Sequence, residues 1–153
     1  MASRTAVELS ETERRNIEHA CTALSVDYCE FVDAKEYDRL RDVFAADALF
    51  VSPAASDNVL RGADAIVAYL SAIPRALATQ HLASNIRIHV ESSDAAAGSC
   101  RLVVHMADAN EPETPEGRKL AAKQLIGIYR DRYVRTPAGW RITERRGQTL
   151  FHT

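Results

Sequence analysis

The sequence predicts an α+β fold in which three N-terminal helices pack on a curved, mainly antiparallel sheet. Helical apolar spacing dominates the first half of the 153-residue chain, and period-two alternation dominates the second half. Hairpin-length connections between the long strands indicate that neighbouring strands run antiparallel. Alanine and valine are abundant and tryptophan occurs once, so we expect the layers to enclose a pocket.

The first helix is predicted to begin after Ser10, because Ser10-Glu-Thr-Glu13 is a capping box. The residues before it, 1–9, are predicted to form a loose arm. Apolar side chains then follow at helical spacing, namely Ile17, Cys21, Leu24, Tyr28 and Phe31. The rest of this helix is also mostly apolar or small, so we expect it to be embedded on more than one side.

Three shorter elements follow the first helix. A second helix is predicted over residues 34–45, a short strand over 48–52, and a third helix over 63–72, which Pro74 ends. The Ser-Asp-Asn segment at 56–58 has the composition of a turn.

Alternating polar and apolar residues predict four long strands, over residues 81–91, 98–107, 119–135 and 140–150. The segment 108–118 is rich in Pro, Glu and Gly and is predicted to be a mobile loop. We expect the whole chain to form one domain.

An apolar content of 46% with 26% charged residues is ordinary for a soluble globular protein. A net charge of −2 gives no electrostatic case for binding nucleic acid or an anionic membrane. No stretch reaches the roughly 20 apolar residues of a membrane span. Basic residues gather late in the chain, and their strand spacing predicts a solvated sheet face: Arg130, Arg132, Arg135, Arg141, Arg145 and Arg146.

The three cysteines are odd in number and lack C-x-x-C spacing. They are predicted to be buried thiols in a reducing compartment, and the N-terminal residues lack the apolar run of a signal peptide. We therefore expect a cytoplasmic protein. No histidine spacing typical of metal ligation is present, so neither a metal nor an organic cofactor is predicted.

Asp33 stands at the junction of the first two predicted helices, and two interpretations are open. It could cap the second helix, with Glu36 completing a capping box. It could also be an acid at the edge of the pocket that orients a histidine. The two interpretations are compatible.

Two of the five histidines are candidates for the pocket. His105 lies in an otherwise apolar strand, and His81 lies where the third helix and its loop give way to the first long strand. Simple alternation places His81 opposite the apolar face that contains Ile86 and Ile88. We expect a β-bulge near residues 83–84, or burial of both sheet faces there, if His81 is to face the helices.

The chain resembles the SnoaL-like branch of the nuclear-transport-factor-2-like superfamily, whose members are conical α+β domains. The resemblance covers most of residues 15–147. The motifs that carry it are Phe31-Val-Asp33, Leu40-x-x-Val43-Phe44-x-x-Asp47-Ala48, Arg61-Gly62-x-x-Ala65-Ile66, His81-x-x-x-Asn85, Tyr129-x-Asp131-x-Tyr133 and Gly139-Trp140-Arg-Ile142. It implies a conical, barrel-like fold around a pocket, and a homodimer or homotrimer formed through the outer sheet face.

Three enzyme groups in that branch suggest roles for single residues. Asp33 and His81 resemble the catalytic acid and histidine of scytalone dehydratase, bile-acid 7α-dehydratase and hexachlorocyclohexane dehydrochlorinase. His105 lies near the second pocket histidine of scytalone dehydratase, and Arg145 falls where the dehydrochlorinase has a pocket arginine. Tyr28 replaces a lysine of the dehydrochlorinase and is similar to a tyrosine of the bile-acid enzyme.

The resemblance implies a cofactor-independent dehydratase that acts on a small cyclic or aromatic hydroxy-ketone. His81 would act as the base, Asp33 would orient it, and Tyr28, with Tyr129 or a water, would donate a hydrogen bond to the enolate oxygen. One alternative is an isomerase or cyclase of the ketosteroid isomerase type in the same pocket. A non-catalytic ligand-binding protein, or an assembly subunit resembling the β subunit of ring-hydroxylating dioxygenases, is another.

Overall fold

The structure is a computed structural model that describes residues 8–153. Helix α1 (Glu11–Asp33) begins where the sequence predicted, since the backbone N of Ser10 donates to Glu13 Oε2 over 2.8 Å and the backbone N of Glu13 donates to Ser10 Oγ over 3.3 Å. Of the predicted arm, residues 1–7 lie outside the described residues. Leu9 is partly buried against the core.

Two shorter helices follow α1. The second predicted helix is shorter than expected and is a 3₁₀ helix, Tyr37–Asp42, whereas α2 (Ala63–Ser71) forms as predicted. Lys35 takes a left-handed conformation (φ 60°), which separates the 3₁₀ helix from α1. Phe44 pairs with Ile142 in the sheet, so the last residues of the predicted helix belong to a strand instead.

Six strands form one mixed sheet in the described chain. In chain order, they are β1 (Phe44–Ser52), β2 (Ala55–Arg61), β3 (Leu77–Val90), β4 (Ala95–Asp108), β5 (Leu125–Thr136) and β6 (Gly139–His152). Their order across the sheet is β2-β1-β6-β5-β4-β3. Only the β1–β6 pair is parallel. The sheet curls around the helices but stays open, and this arrangement confirms the predicted α+β class.

Several strand boundaries differ from the predictions, and two of the differences show what decides pairing. The segment predicted as a turn at 56–58 belongs to β2, because Val59 and Leu60 pair with Val51 and Phe50 of β1. Strand β5 begins at Leu125 instead of residue 119, and within residues 119–124 one isolated bridge joins Leu120 to Ala107. In both places the partner strand, and not the local composition, decides where pairing begins and ends.

A β-bulge lies in β3 close to the predicted position. Ser84 pairs with Arg101 and Arg87 pairs with Ser99, so Asn85 and Ile86 together oppose one residue of β4. Asn85 accommodates the bulge with φ 50°, a left-handed conformation that asparagine tolerates better than most residues. The extra residue moves the strand by one position, so Thr79 and His81 face the helices on the same side as Ile88.

The core lies between the inner face of the sheet and the two α-helices with the 3₁₀ helix. Side chains from α1, the 3₁₀ helix, α2 and five of the strands are buried there. Among residues 8–153, no helix is long and apolar enough to cross a membrane.

Candidate active site

Asp33 is the last residue of α1, and its carboxylate meets the start of β3. Oδ1 accepts a hydrogen bond from Thr79 Oγ1 (2.8 Å), and Oδ2 accepts from Gln80 Nε2 (3.1 Å) and the backbone N of His81 (2.6 Å). The capping interpretation of Asp33 is wrong, because the 3₁₀ helix has Glu36 at its N-cap and no side-chain capping bond. Asp33 instead ties the end of the first helix to the first long strand.

The imidazole of His81 also contacts the carboxylate of Asp33. Its Nδ1 lies 2.5 Å from Asp33 Oδ1, and the two side chains are only 10% and 12% exposed. An ionised carboxylate accepts and does not donate, so this contact places the proton of a neutral imidazole on Nδ1. Nε2, on the other side of the ring, is then the nitrogen that can accept a proton.

A cavity of about 130 Å³ lies beside this pair, between the helices and the sheet. His81 and Thr79 line it together with aliphatic side chains from all sides. These include Val32, Leu70, Leu77, Leu102, Val104 and Met106. The volume is below the roughly 300–1,000 Å³ of pockets for drug-sized ligands, so the cavity suits a small, mostly apolar molecule.

Tyr28 and Tyr129 form a polar part of the cavity wall next to His81. Their hydroxyl oxygens are 3.3 Å apart, and both side chains line the cavity. The ring of Tyr28 meets that of His81 edge to face, with 6.5 Å between centroids. Burial raises the pKa of Tyr28 to about 12 and that of Tyr129 well above its ordinary value. Both phenols are therefore neutral at pH 7 and can donate hydrogen bonds.

Arg145 lies behind the two tyrosines and is not among the side chains that line the cavity. It is fully buried, and its guanidinium group donates to both carboxylate oxygens of Asp131, over 2.8 and 2.7 Å. Burial alone would lower the pKa of Arg145, but the Asp131 carboxylate raises it well above the ordinary value. This arginine does not belong to the solvated face on which the sequence placed it with its neighbours.

His105 lies outside the cavity. Val104 and Met106 on either side of it line the cavity, so His105 points to the opposite face of β4. There its Nδ1 lies 2.9 Å from Gln124 Oε1. The expectation that His105 lines the pocket is therefore wrong, because alternation along a regular strand directs it to the outer face.

Three residues of this region went unassigned in the sequence. Thr79 and Gln80 supply donors to Asp33, and Asp131 binds Arg145. Asp131 did have a signal, because it alternates in phase with Tyr129 and Tyr133 on a strand face that must be buried. Nothing in the local sequence signals the donors from Thr79 and Gln80, since their contact with Asp33 spans more than forty residues of chain.

The SnoaL-like domain family matches residues 13–146, most of the chain. The protein belongs to the SnoaL-like family. Comparison with curated proteins gave no match.

Solved structures support the same fold for this SnoaL-like protein. One similar structure is a candidate scytalone dehydratase from Novosphingobium aromaticivorans DSM 12444, with a TM-score of 0.79, 23% identity, and coverage of 94% of this chain and 91% of that one. Another is a hexachlorocyclohexane dehydrochlorinase (LinA) Type2, with a TM-score of 0.78, 18% identity, and coverage of 94% and 92%. A third is a variant of Rv3472, a protein of unknown function from Mycobacterium tuberculosis, with a TM-score of 0.71, 27% identity, and coverage of 92% and 76%.

The polar groups of this SnoaL-like cavity suit acid–base chemistry. Across residues 8–153, no group of three or more His, Cys, Asp or Glu side chains is arranged to hold a metal ion. Among the described residues, the cavity combines one imidazole, oriented by a carboxylate, with three phenols, those of Tyr28, Tyr37 and Tyr129. Such a set can take a proton from carbon and stabilise negative charge on oxygen.

Proposed function

We propose that the protein is a cofactor-independent dehydratase that removes water from a small cyclic or aromatic hydroxy-ketone. The observation that carries the proposal is the 2.5 Å contact between Asp33 and His81 on the wall of a small apolar cavity. Membership of the SnoaL-like family and the likeness to a candidate scytalone dehydratase and a dehydrochlorinase support a lyase-type reaction.

His81 is proposed as the base. Its Nε2 takes the proton from the carbon next to the ketone, and the electrons of that C–H bond form an enolate. Asp33 fixes the tautomer and stabilises the imidazolium ion that results. A positioned base of this kind typically supplies about 10²–10⁴ in rate.

Tyr28 is proposed as the donor to the enolate oxygen, with Tyr129 donating to Tyr28 or to the substrate. One such donor is worth on the order of 10²–10³ in rate. When the enolate collapses to the enone, the bond from the β-carbon to the hydroxyl group breaks. The imidazolium of His81 then returns its proton to the departing hydroxide, which leaves as water.

The direct test uses a β-hydroxytetralone, a small bicyclic hydroxy-ketone whose dehydration yields a naphthol that absorbance detects. We expect His81→Ala to lower turnover by about 10²–10⁴ with the fold intact by circular dichroism. The matched control is His89→Ala, an exposed histidine of the same strand, which should keep wild-type turnover. Unchanged turnover in the His81 variant would remove it from the mechanism.

An isomerase is the second candidate, and the position of His105 favours it. Since His105 faces away from the cavity, His81 is the one imidazole among residues 8–153 that lines it, and a single base that moves a proton between two carbons suffices for isomerisation. A β,γ-unsaturated cyclic ketone is the probe for this reaction. Conversion of that ketone without dehydration of the hydroxytetralone would decide for the isomerase.

We also propose a homodimer or homotrimer that forms through the outer sheet face, in the cytoplasm. An apolar row crosses four adjacent strands there, because Leu82 pairs with Val103, Val103 with Ile126, and Ile126 with Phe151. Phe151 is 67% exposed. Free thiols at all three cysteines suit a reducing compartment. Light scattering should show an oligomer for the wild type and a smaller species for Phe151→Ser. A monomeric wild type would contradict the proposal.

A further inference from the structure

The buried Arg145–Asp131 pair lies directly behind the tyrosine wall of the cavity. The two residues face each other across β5 and β6, and their side chains are 0% and 1% exposed. Nη2 of Arg145 also donates to Ser25 Oγ over 3.0 Å, which connects the pair to α1. Asp131 accepts a further hydrogen bond from Tyr133 over 3.0 Å. The cation is therefore held in one position by groups from both layers.

The guanidinium group of Arg145 lies over the rings of both Tyr28 and Tyr129, which stand nearly perpendicular to each other at 81°. Its central carbon lies 4.6 Å from one ring centroid and 4.5 Å from the other. Nη1 is buried without a hydrogen-bond partner among residues 8–153, so the two aromatic faces are what stabilise that part of the cation. Both tyrosines line the cavity, whereas Arg145 does not.

We propose that Arg145 is a positioning residue that acts through Tyr28 and Tyr129 and never touches the substrate, and that the cavity selects an uncharged carbonyl compound over a carboxylate or phosphate. The proposal rests on the proposed function for the identity of the reacting group. It deepens that function by naming the charge of the substrate.

Arg145 acts on the two tyrosine donors. A cation against both rings fixes their positions and favours negative charge on the phenol oxygens. Burial keeps both phenols protonated, and Arg145 opposes that effect by lowering the pKa of Tyr28. The result is a neutral donor whose hydrogen bond strengthens as negative charge develops on a carbonyl oxygen.

The charge of the cavity lining decides which ligands bind. No Lys, Arg, Asp or Glu is among the described residues that line the cavity. Asp131 compensates the charge of Arg145, and in the state needed for proton abstraction the Asp33–His81 pair carries one negative charge. A carboxylate would lose its hydration without gaining a counter-ion, whereas a ketone would lose little.

The test uses two ligands of similar size that do not react, α-tetralone and α-naphthoate. Calorimetry should show that the ketone binds and that the carboxylate binds at least about 100-fold more weakly. Infrared difference spectra should show the carbonyl stretch of bound α-tetralone moved to lower wavenumber, and Tyr28→Phe should remove most of that shift. Absence of ketone binding, or tighter binding of the carboxylate, would overturn the proposed selectivity.

The role of Arg145 is tested in Asp131→Leu/Arg145→Met, which replaces a buried ion pair by apolar side chains, an exchange that is often neutral for stability. Tyr133 keeps Ser25 as a hydrogen-bond partner at 3.2 Å. We expect α-tetralone to bind within a few-fold of the wild-type affinity with a smaller carbonyl shift. An unchanged shift would show that Arg145 does not act through the tyrosines.

A second variant and a separate assay keep the outcomes distinct. If the double variant does not fold, Arg145→Lys takes its place in the experiment. Lysine retains the charge but lacks the planar guanidinium group, so we expect a carbonyl shift between those of the wild type and Tyr28→Phe. A wild-type shift in Arg145→Lys would contradict a role for the planar group. Because neither probe reacts, a normal shift in a protein that does not dehydrate the β-hydroxytetralone would refute the proposed function and leave this inference standing.

Discussion

Two carboxylates, Asp33 and Asp131, each bind a basic side chain, but the two pairs differ in what they leave free. His81 and Asp33 are 10% and 12% exposed beside the cavity, whereas Arg145 and Asp131 are 0% and 1% exposed behind it. Asp33 binds one edge of the imidazole and leaves Nε2 available. Asp131 binds the guanidinium through two nitrogens, and the rings of Tyr28 and Tyr129 lie within 4.6 Å of its central carbon.

The difference shows how burial separates a pair that can transfer protons from a pair that stabilises the structure. An imidazole can exchange protons if one of its nitrogens stays accessible. A guanidinium keeps its proton at all physiological pH values, so it can only supply fixed charge and geometry. We therefore expect changes to the first pair to alter turnover, and substitutions that leave one member of the second pair buried without its partner to alter folding.

Asp131→Asn should have the largest effect on folding. It leaves the charge of Arg145 buried without a counter-ion, which typically costs about 3–5 kcal/mol of unfolding free energy. Urea denaturation measures this loss. The matched control is Asp57→Asn, at an exposed position on β2, which should change stability by less than about 0.5 kcal/mol. Equal stability of both variants would show that the buried pair does not support the fold.

Alkaline pH should weaken the wall between the two pairs. The unfolded chain loses the Tyr28 proton near its ordinary pKa of about 10, while burial raises the folded pKa to about 12. The stabilisation is therefore complete below pH 10 and is lost as the pH rises toward 12. Tyr28 alone should account for on the order of 3 kcal/mol.

Denaturation curves between pH 8 and pH 12 measure this loss, with Tyr28→Phe as the control. Because that variant lacks the titrating group, its stability should fall less over the same interval. Wild-type stability that stays constant up to pH 12 would contradict the burial of the phenol.

Asp33→Asn, the same substitution as at Asp131, should cost less stability, about 1–2 kcal/mol, since the amide keeps the shape and part of the bonding. Turnover should fall by at least about 10²-fold, because the amide no longer fixes the imidazole tautomer. Nitrogen NMR shifts of His81 report the tautomer independently of any substrate. If the amide variant folded less stably than Asp131→Asn, the contrast between the two pairs would fail.

Thr79→Val should have the smallest effect. It removes one of the hydrogen bonds to Asp33 and keeps the side-chain volume, so we expect a loss of about 1 kcal/mol in unfolding free energy. Turnover should fall only a few-fold, since the carboxylate still binds His81 through both the ring and the backbone. A loss as large as that of the Asp33 variant would mean that Thr79 itself contacts the substrate.

The sequence was sufficient for the fold class, whereas the pairing of Asp33 with His81 was expected from resemblance, since simple alternation placed His81 on the face opposite Ile86 and Ile88. Capping at Ser10, helical spacing in α1 and alternation in β4 are local patterns, and each formed as predicted. The 3₁₀ helix and β2 were not predictable in this way, because pairing of Phe44 with Ile142 and of Val59 with Val51 decides them.

The tyrosine wall was only partly predictable. Tyr28 was expected in the pocket and lines it, but Arg145 was expected there and instead lies behind the rings. Its position depends on Asp131 being opposite it on the neighbouring strand, which strand register alone sets. His105 was misplaced because the argument rested on resemblance, whereas alternation next to Val104 points it outward.

The left-handed residue Asn85 has a consequence for how this family can vary. The extra residue of the bulge divides β3 into two halves, and the inward-facing positions of one half are odd-numbered and those of the other even-numbered. Deletion of a single residue there would therefore turn either His81 or the segment around Ile88 to solvent and leave every helix in place. A one-codon change at a residue outside the cavity lining would therefore remove the acid–base chemistry and keep the architecture, and the reverse insertion would turn a histidine at this position into the cavity of a relative that lacks one there.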